Sequence, residues 1–137
     1  MVLFSGAVET THEDVRFEYL ALADKNFWDH HTHEDMKTLI RPPLSAVPGL
    51  GATDWPDLDP REALSKLTIP GLWLFGGRDR NMDVDVSIER LNGLITAGHD
   101  NYSYRLFPDY DHRLGGINAD VIDPGAAWIR KVVTRGS

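Results

Sequence analysis

The stretch from Ile69 to Phe75 is apolar at nearly every position and stops abruptly at Gly76-Gly77-Arg78-Asp79. A run this short and this continuous, closed by a glycine pair, predicts a strand buried on both faces. That is the setting of a parallel sheet, because antiparallel sheets more often alternate apolar and polar residues. Parallel neighbours must be joined by crossovers, usually helical. The rest of the chain is therefore read for helices that could serve as crossovers.

Such helices are legible. Thr10 followed by Glu13 has the spacing of a capping box, and Val15, Tyr19 and Leu22 follow at helical intervals, predicting a helix to about Ala23. A second helical stretch is expected from about Phe27 to Ile40, ended by Pro42 and Pro43. Residues 44–57 read as loop. Asp59-Pro60 with Glu62 marks the start of a short helix running through Leu67. After the buried strand, Asp85 is placed as the cap of a helix whose Ile88, Leu91 and Ile95 share a face, with Gly98 at its end. Tyr102 to Phe107 alternates like a strand, residues 108–116 read as loop, and Asp123-Pro124 is read as capping a last helix that carries Trp128 and Val132. At the other end, Val2 to Phe4 is strand-like and leads into Ser5-Gly6-Ala7. The order of strand, helical insert, strand, helix, strand, helix predicts an α/β fold with a short parallel sheet of about three strands.

Composition narrows the partners. The formal net charge of −7 over 137 residues argues against nucleic acid, which needs clustered Lys and Arg. No apolar run approaches the roughly 20 residues of a membrane span, and no signal peptide is evident. The absence of cysteine excludes disulfides, thiolate metal sites and cysteine nucleophiles. It fits a reducing compartment, and a cytoplasmic location is the expectation.

Chemistry in parallel sheets collects just beyond the C-terminal ends of strands. Asp79 follows the strand ending at Phe75, and His112 follows the strand ending at Phe107. With one crossover helix between them, the two strands are expected to be neighbours. A carboxylate beside His112 would set its tautomer and stabilise the imidazolium formed during catalysis. The alternative is a turn-capping aspartate and a surface histidine.

The segments Asp59-Pro60-Arg61-Glu62-Ala63-Leu64 and Ile69 to Asn81, through Gly76-Gly77-Arg78-Asp79, resemble the acid-bearing strand of the α/β-hydrolases, in the style of their prolyl-oligopeptidase-like and dienelactone-hydrolase-like branches. Asn101 to His112, with Phe107-Pro108-Asp109-Tyr110-Asp111-His112, resembles their histidine strand and loop. The offset 112 − 79 = 33 leaves room for one helix and one strand. Residues 123–133 resemble the closing helix, residues 2–7 the strand after the nucleophile helix, and residues 8–58 a helical lid insert. The resemblance implies one partial α/β-hydrolase domain over 1–137, with the lid at 8–58 and the acid and histidine strands at 59–137. Asp79 would be the triad acid and His112 the base, cleaving ester or amide bonds without a cofactor or metal.

One element of that family is missing from the sequence. Its serine sits in G-x-S-x-G at a strand-to-helix elbow, and none of Ser5, Ser45, Ser65, Ser87, Ser103 and Ser137 has that context. The oxyanion loop would also lie upstream. Arg113 stands where the family often has glycine; it could disturb the base or bind an acidic group. The expectation is thus the C-terminal part of a serine-type hydrolase, inactive alone, paired with an N-terminal half that supplies the serine. The alternative is a non-catalytic module that associates with itself or a partner. Either reading leaves an unpaired strand edge, so a homo-oligomer formed by edge pairing or swapped helices is expected.

Three further features have a functional and a structural reading. Ser5 could stand in for the nucleophile, or be a small residue in a turn. The cluster Asp29-His30-His31-Thr32-His33-Glu34-Asp35 could bind a metal through His30 and Glu34 at helical spacing, or form a polar helix face, which is the favoured reading. Phe17, Tyr19, Phe27 and Trp28 could line an acyl pocket, or pack the lid helices together.

Overall fold

The computed structural model describes residues 1–35 and 56–135. Their strands form one parallel sheet in the order β1-β2-β3: β1 (Val2–Phe4), β2 (Gly71–Gly76) and β3 (Tyr102–Phe107). β2 is central and buried along its whole length, as its unbroken apolar sequence demands. Its register pairs Leu72 with Val2 on one side and with Ser103 on the other.

Alternation along β2 divides the core into two layers. Trp73 and Phe75 point to the face covered by α4 (Val84–Thr96), where they meet Val8, Leu64, Met82, Leu91 and Tyr102. Leu72 and Leu74 point to the opposite face, against Val121, Trp128 and Leu114 of the C-terminal segment. Each layer buries large apolar side chains, and full burial of one such side chain stabilises the fold by roughly 1.5–3 kcal/mol. Helix α4 is the crossover between β2 and β3, with Leu91 buried and Ile88 and Ile95 packed partly beneath it.

The other helices that lie wholly within the described residues are α1 (Thr11–Leu22), α2 (Phe27–His30), α3 (Pro60–Leu64), α5 (Leu114–Ile117) and α6 (Ala119–Arg135). Thr10 and Glu13 form the reciprocal capping box. Asp59 caps α3, with Pro60 in its first turn. Among the described residues, no helix is long and apolar enough to cross a membrane.

Several boundaries differ from the sequence expectation. The expected second helix is interrupted: it ends at His30, because His31 is extended (φ −129°, ψ 148°), and helical geometry resumes at residues 33–35; residues 36–40 of its expected length, and the loop of 44–55, lie outside the described residues. Helix α3 stops at Leu64, where Ser65 turns a hydroxyl onto the Glu62 carbonyl. The cap of α4 is Asp83, which accepts from the N–H groups of Asp85 and Val86, and not Asp85. The final helix begins at Ala119, with Asn118 accepting from the N–H of Asp120, so Pro124 lies inside the helix instead of starting it. The residues 108–116 are not wholly loop. Their end forms the turn of α5, bent by three successive left-handed residues, Leu114, Gly115 and Gly116 (φ 49°, 67° and 77°).

Candidate functional site

The site begins with two glycines. Beyond Phe75, Gly76 and Gly77 let the segment after β3 lie directly against β2. A Cβ on Gly76 would come within 2.3 Å of the Asp111 carbonyl oxygen, and one on Gly77 within 2.6 Å of that of Pro108. The approach is locked by backbone hydrogen bonds. The Gly77 N–H donates to Phe107 and the Arg78 N–H to Tyr110. Residue 79 is thereby held beside residue 112.

Asp79 and His112 meet. Asp79 is fully buried, and its Oδ2 lies 2.9 Å from His112 Nδ1. Its other oxygen accepts from the N–H of Asn81 (2.7 Å) and of Met82 (3.2 Å). Those bonds fix the carboxylate's orientation independently of the histidine. Trp28 closes the site from α2, its indole N–H donating 2.9 Å to the Asp79 carbonyl. Burial pushes the Asp79 carboxyl above its ordinary value, against the hydrogen bonds from Asn81 and His112 that favour the charged form. An ionised carboxylate can only accept, so it holds the imidazole proton on Nδ1 and leaves Nε2 as the basic nitrogen. The His112 side chain is 43% exposed, which puts that nitrogen within reach of a ligand. The pair is equipped to take a proton from a bound group and return it.

Ser5 takes part, but not as a nucleophile aimed at the imidazole. It continues the β1–β2 ladder, its N–H donating to Leu74, in a left-handed conformation (φ 48°). Its hydroxyl donates 2.7 Å to the His112 carbonyl. Ser5 therefore ties the tip of β1 to the histidine loop as a positioning residue.

Two residues at the site were not singled out from sequence. Asp14 on α1 is close enough to feel both members of the pair. Its carboxyl is pushed up to about 6 by burial, then by the carboxylates of Glu18 and Asp79, against the pull of His112. Glu18, four residues on, accepts from the Asn81 side chain at 3.0 Å. The i, i+4 spacing of Asp14 and Glu18 was the available signal. It does not say that this face of α1 turns towards residues 79–81.

The histidine cluster disperses. His30 pairs with Asp24 and His33 with Asp85, each at 2.5 Å, and His33 stacks on Trp28. The break at His31 removes the common helix face that His30 and Glu34 would need. Among the described residues, no group of three or more His, Cys, Asp and Glu side chains could hold a metal ion. Phe17, Phe27 and Trp28 pack edge-to-face and tilted on one another, whereas Tyr19 is exposed outside that cluster. Arg113 is exposed, with αR backbone geometry (φ −84°, ψ 0°).

A second acidic pair lies deeper, under the start of α4. Glu9 and Asp83 are both buried, and Glu9 accepts from the Asp83 N–H at 2.7 Å. One oxygen of each, Glu9 Oε2 and Asp83 Oδ2, has no hydrogen-bond partner among the described residues.

Comparisons of the chain with family models, with curated proteins and with solved structures give no match.

Proposed function

We propose that this chain supplies the acid and base of a serine-type α/β-hydrolase acting on ester or amide bonds, with Asp79 as the triad acid and His112 as the base. The observation that carries the reading is the 2.9 Å contact between Asp79 Oδ2 and His112 Nδ1, at the ends of two adjacent parallel strands. In this reading β1, β2 and β3 are the last strands of that fold's sheet. His112 Nε2 takes the serine proton as the hydroxyl attacks the substrate carbonyl, and then delivers it to the leaving group. Asp79 holds the tautomer and stabilises the imidazolium. The serine and the oxyanion donors come from outside these residues, since no G-x-S-x-G occurs and the Ser5 hydroxyl is engaged with the His112 carbonyl. A reducing, cytoplasmic setting goes with the reading, supported by the absence of cysteine.

The test is the tautomer of His112, read from its imidazole 15N shifts. The expected state is Nδ1–H with a free, basic Nε2, and Asp79→Asn should abolish that preference. A histidine whose tautomer is indifferent to Asp79→Asn would remove the basis of the reading. The 137-residue chain alone should neither turn over a p-nitrophenyl ester nor be labelled by a fluorophosphonate. An in-frame G-x-S-x-G upstream of Met1 in the encoding DNA would identify the missing half.

A second reading is favoured by the edge of the sheet. Among the described residues β1 is an edge strand, and Phe4 (43%) and Met1 (41%) are exposed there. Such an edge offers unpaired backbone groups to another chain. On this reading the chain is a self-associating module, and light scattering at micromolar concentration should show a dimer or larger species. A monomer would count against it.

A further inference from the structure

Beside the Asp79–His112 pair lies a cleft of about 350 Å³, lined by Lys25, Trp28, Arg78, Arg80, Asp109 and Asp111 among others. Its wall is built from the same backbone as the pair. Arg78 and Arg80 flank Asp79, Asp111 immediately precedes His112, and the indole N–H of Trp28 is bonded to the Asp79 carbonyl.

The charge of this cleft runs against that of the chain. The protein carries 21 acidic and 14 basic residues, yet three cations and two carboxylates line this wall. The cations are also not equally neutralised. Arg78 is paired with Asp29 at 3.0 Å, across a solvent-exposed contact that screens much of its strength. Arg80 is half-buried and gives one N–H to a neutral acceptor, the Asp24 carbonyl at 2.9 Å. Among the described residues, neither Arg80 nor the exposed Lys25 has a carboxylate within ion-pair distance. On the acidic side, Asp111 already accepts from the Arg113 N–H at 2.9 Å. A half-buried guanidinium held in place by a neutral carbonyl keeps most of its fork of donors for a planar or tetrahedral oxyanion. Trp28 also lines the cleft, held in place by the bond from its indole N–H to the Asp79 carbonyl.

We propose that this cleft is an anion subsite: Arg80 and Lys25 take a carboxylate or phosphate group of the ligand whose reacting bond is presented to His112. The assignment of a reacting bond rests on the hydrolase reading; the recognition of the anion rests on the cleft alone. The two together define the substrate class as an ester or amide that bears an acidic group a short distance from the cleaved bond.

The test is a titration of the 15N-labelled 137-residue chain with inorganic phosphate, with succinate, and with neutral succinamide as control. Saturable shifts are expected at the Trp28 indole N–H and the backbone amides of residues 78–82, with a Kd of order 1 mM for at least one anion. They should weaken as salt is raised and be absent with succinamide. Arg80→Gln and Lys25→Gln should each weaken binding about tenfold, a loss of about 1.4 kcal/mol. Lys25 is exposed, so its variant tests the subsite even if Arg80→Gln perturbs folding. The tighter of the two anions identifies the group recognised. No saturable shift with either anion, or shifts that both variants leave unchanged, would overturn the subsite. The two proposals fail separately: loss of the tautomer response to Asp79→Asn removes the hydrolase reading and leaves the titration intact, whereas a silent titration with an intact tautomer response removes only the subsite.

Discussion

Gly76 and Asp111 lie so close that a single methyl group would not fit between them: a Cβ at 76 would stand 2.3 Å from the Asp111 carbonyl oxygen and 2.5 Å from that of Tyr110. Both obstacles are backbone, which cannot swing aside as a side chain can. The place where His112 stands relative to Asp79 is thus decided at the last residue of β2, by the lack of a side chain.

Gly76→Ala should force the 108–111 segment away from β2. A loss of at least about 2 kcal/mol is expected, in the range of overpacked interiors, and the His112 tautomer preference should go with it. Gly93→Ala is the matched control. Gly93 lies inside α4 with open space around it, so the same change should stabilise by up to about 1 kcal/mol. Urea denaturation of both variants checks the pair; equal effects would show that close approach at Gly76 is not the determining factor.

Ser5→Ala should cost about 1 kcal/mol, the net worth of one hydrogen bond, because it removes the donor to the His112 carbonyl and leaves a β-carbon in the left-handed region. Ser5→Gly loses the same bond but relieves the backbone strain, so its loss should be smaller. Denaturant midpoints rank the two, and the reverse order would contradict the positioning role.

Glu9 should make the protein less stable as the solution becomes alkaline. Its carboxyl is pushed up to about 9, first by burial and then by the neighbouring charges of Asp83, Asp14 and Glu13, against the hydrogen bond from the Asp83 N–H. The folded state therefore keeps a proton that the unfolded state has lost. The resulting stability is whole below the ordinary glutamate value and drains away as pH rises towards 9, at up to about 1.4 kcal/mol per pH unit. Asp83 and Asp14, each pushed up to about 6, lose their contributions lower in the range. Glu9→Gln keeps an acceptor for the Asp83 N–H, so it should flatten the profile between pH 6 and 9. Urea melts across that range provide the check; parallel profiles for the two proteins would refute it.

Much of this architecture is legible in the order of residues alone. The capping box at Thr10 and Glu13, the proline-led start of α3, the doubly buried β2 and the span of β3 all follow from local chemistry, because each depends on residues a few positions apart. The positions of Asp79 and His112 beyond their strands are legible for the same reason. The misplaced boundaries mark distant influences. A helix from Phe27 to Ile40 has no local reason to break at His31, yet His33 beyond the break is drawn to Asp85 of α4 and stacks on Trp28. Asp83 and Asp85 are both competent caps; Asp83 serves, and its own N–H is satisfied by Glu9, 74 residues away. The cleft cations show the same limit, because Lys25 and Arg80 are brought together only when α1 and α2 fold over the end of the sheet.

What the chain determines by itself is the kind of fold and the two residues able to carry acid–base chemistry, because hydrophobic period and turn chemistry act over one or two turns of backbone. Whether those residues touch, which carboxylates crowd them, that Ser5 braces the loop, and that cations gather alongside are decided only in the tertiary structure. Charge and close packing act through space, and space is not ordered by position along the chain.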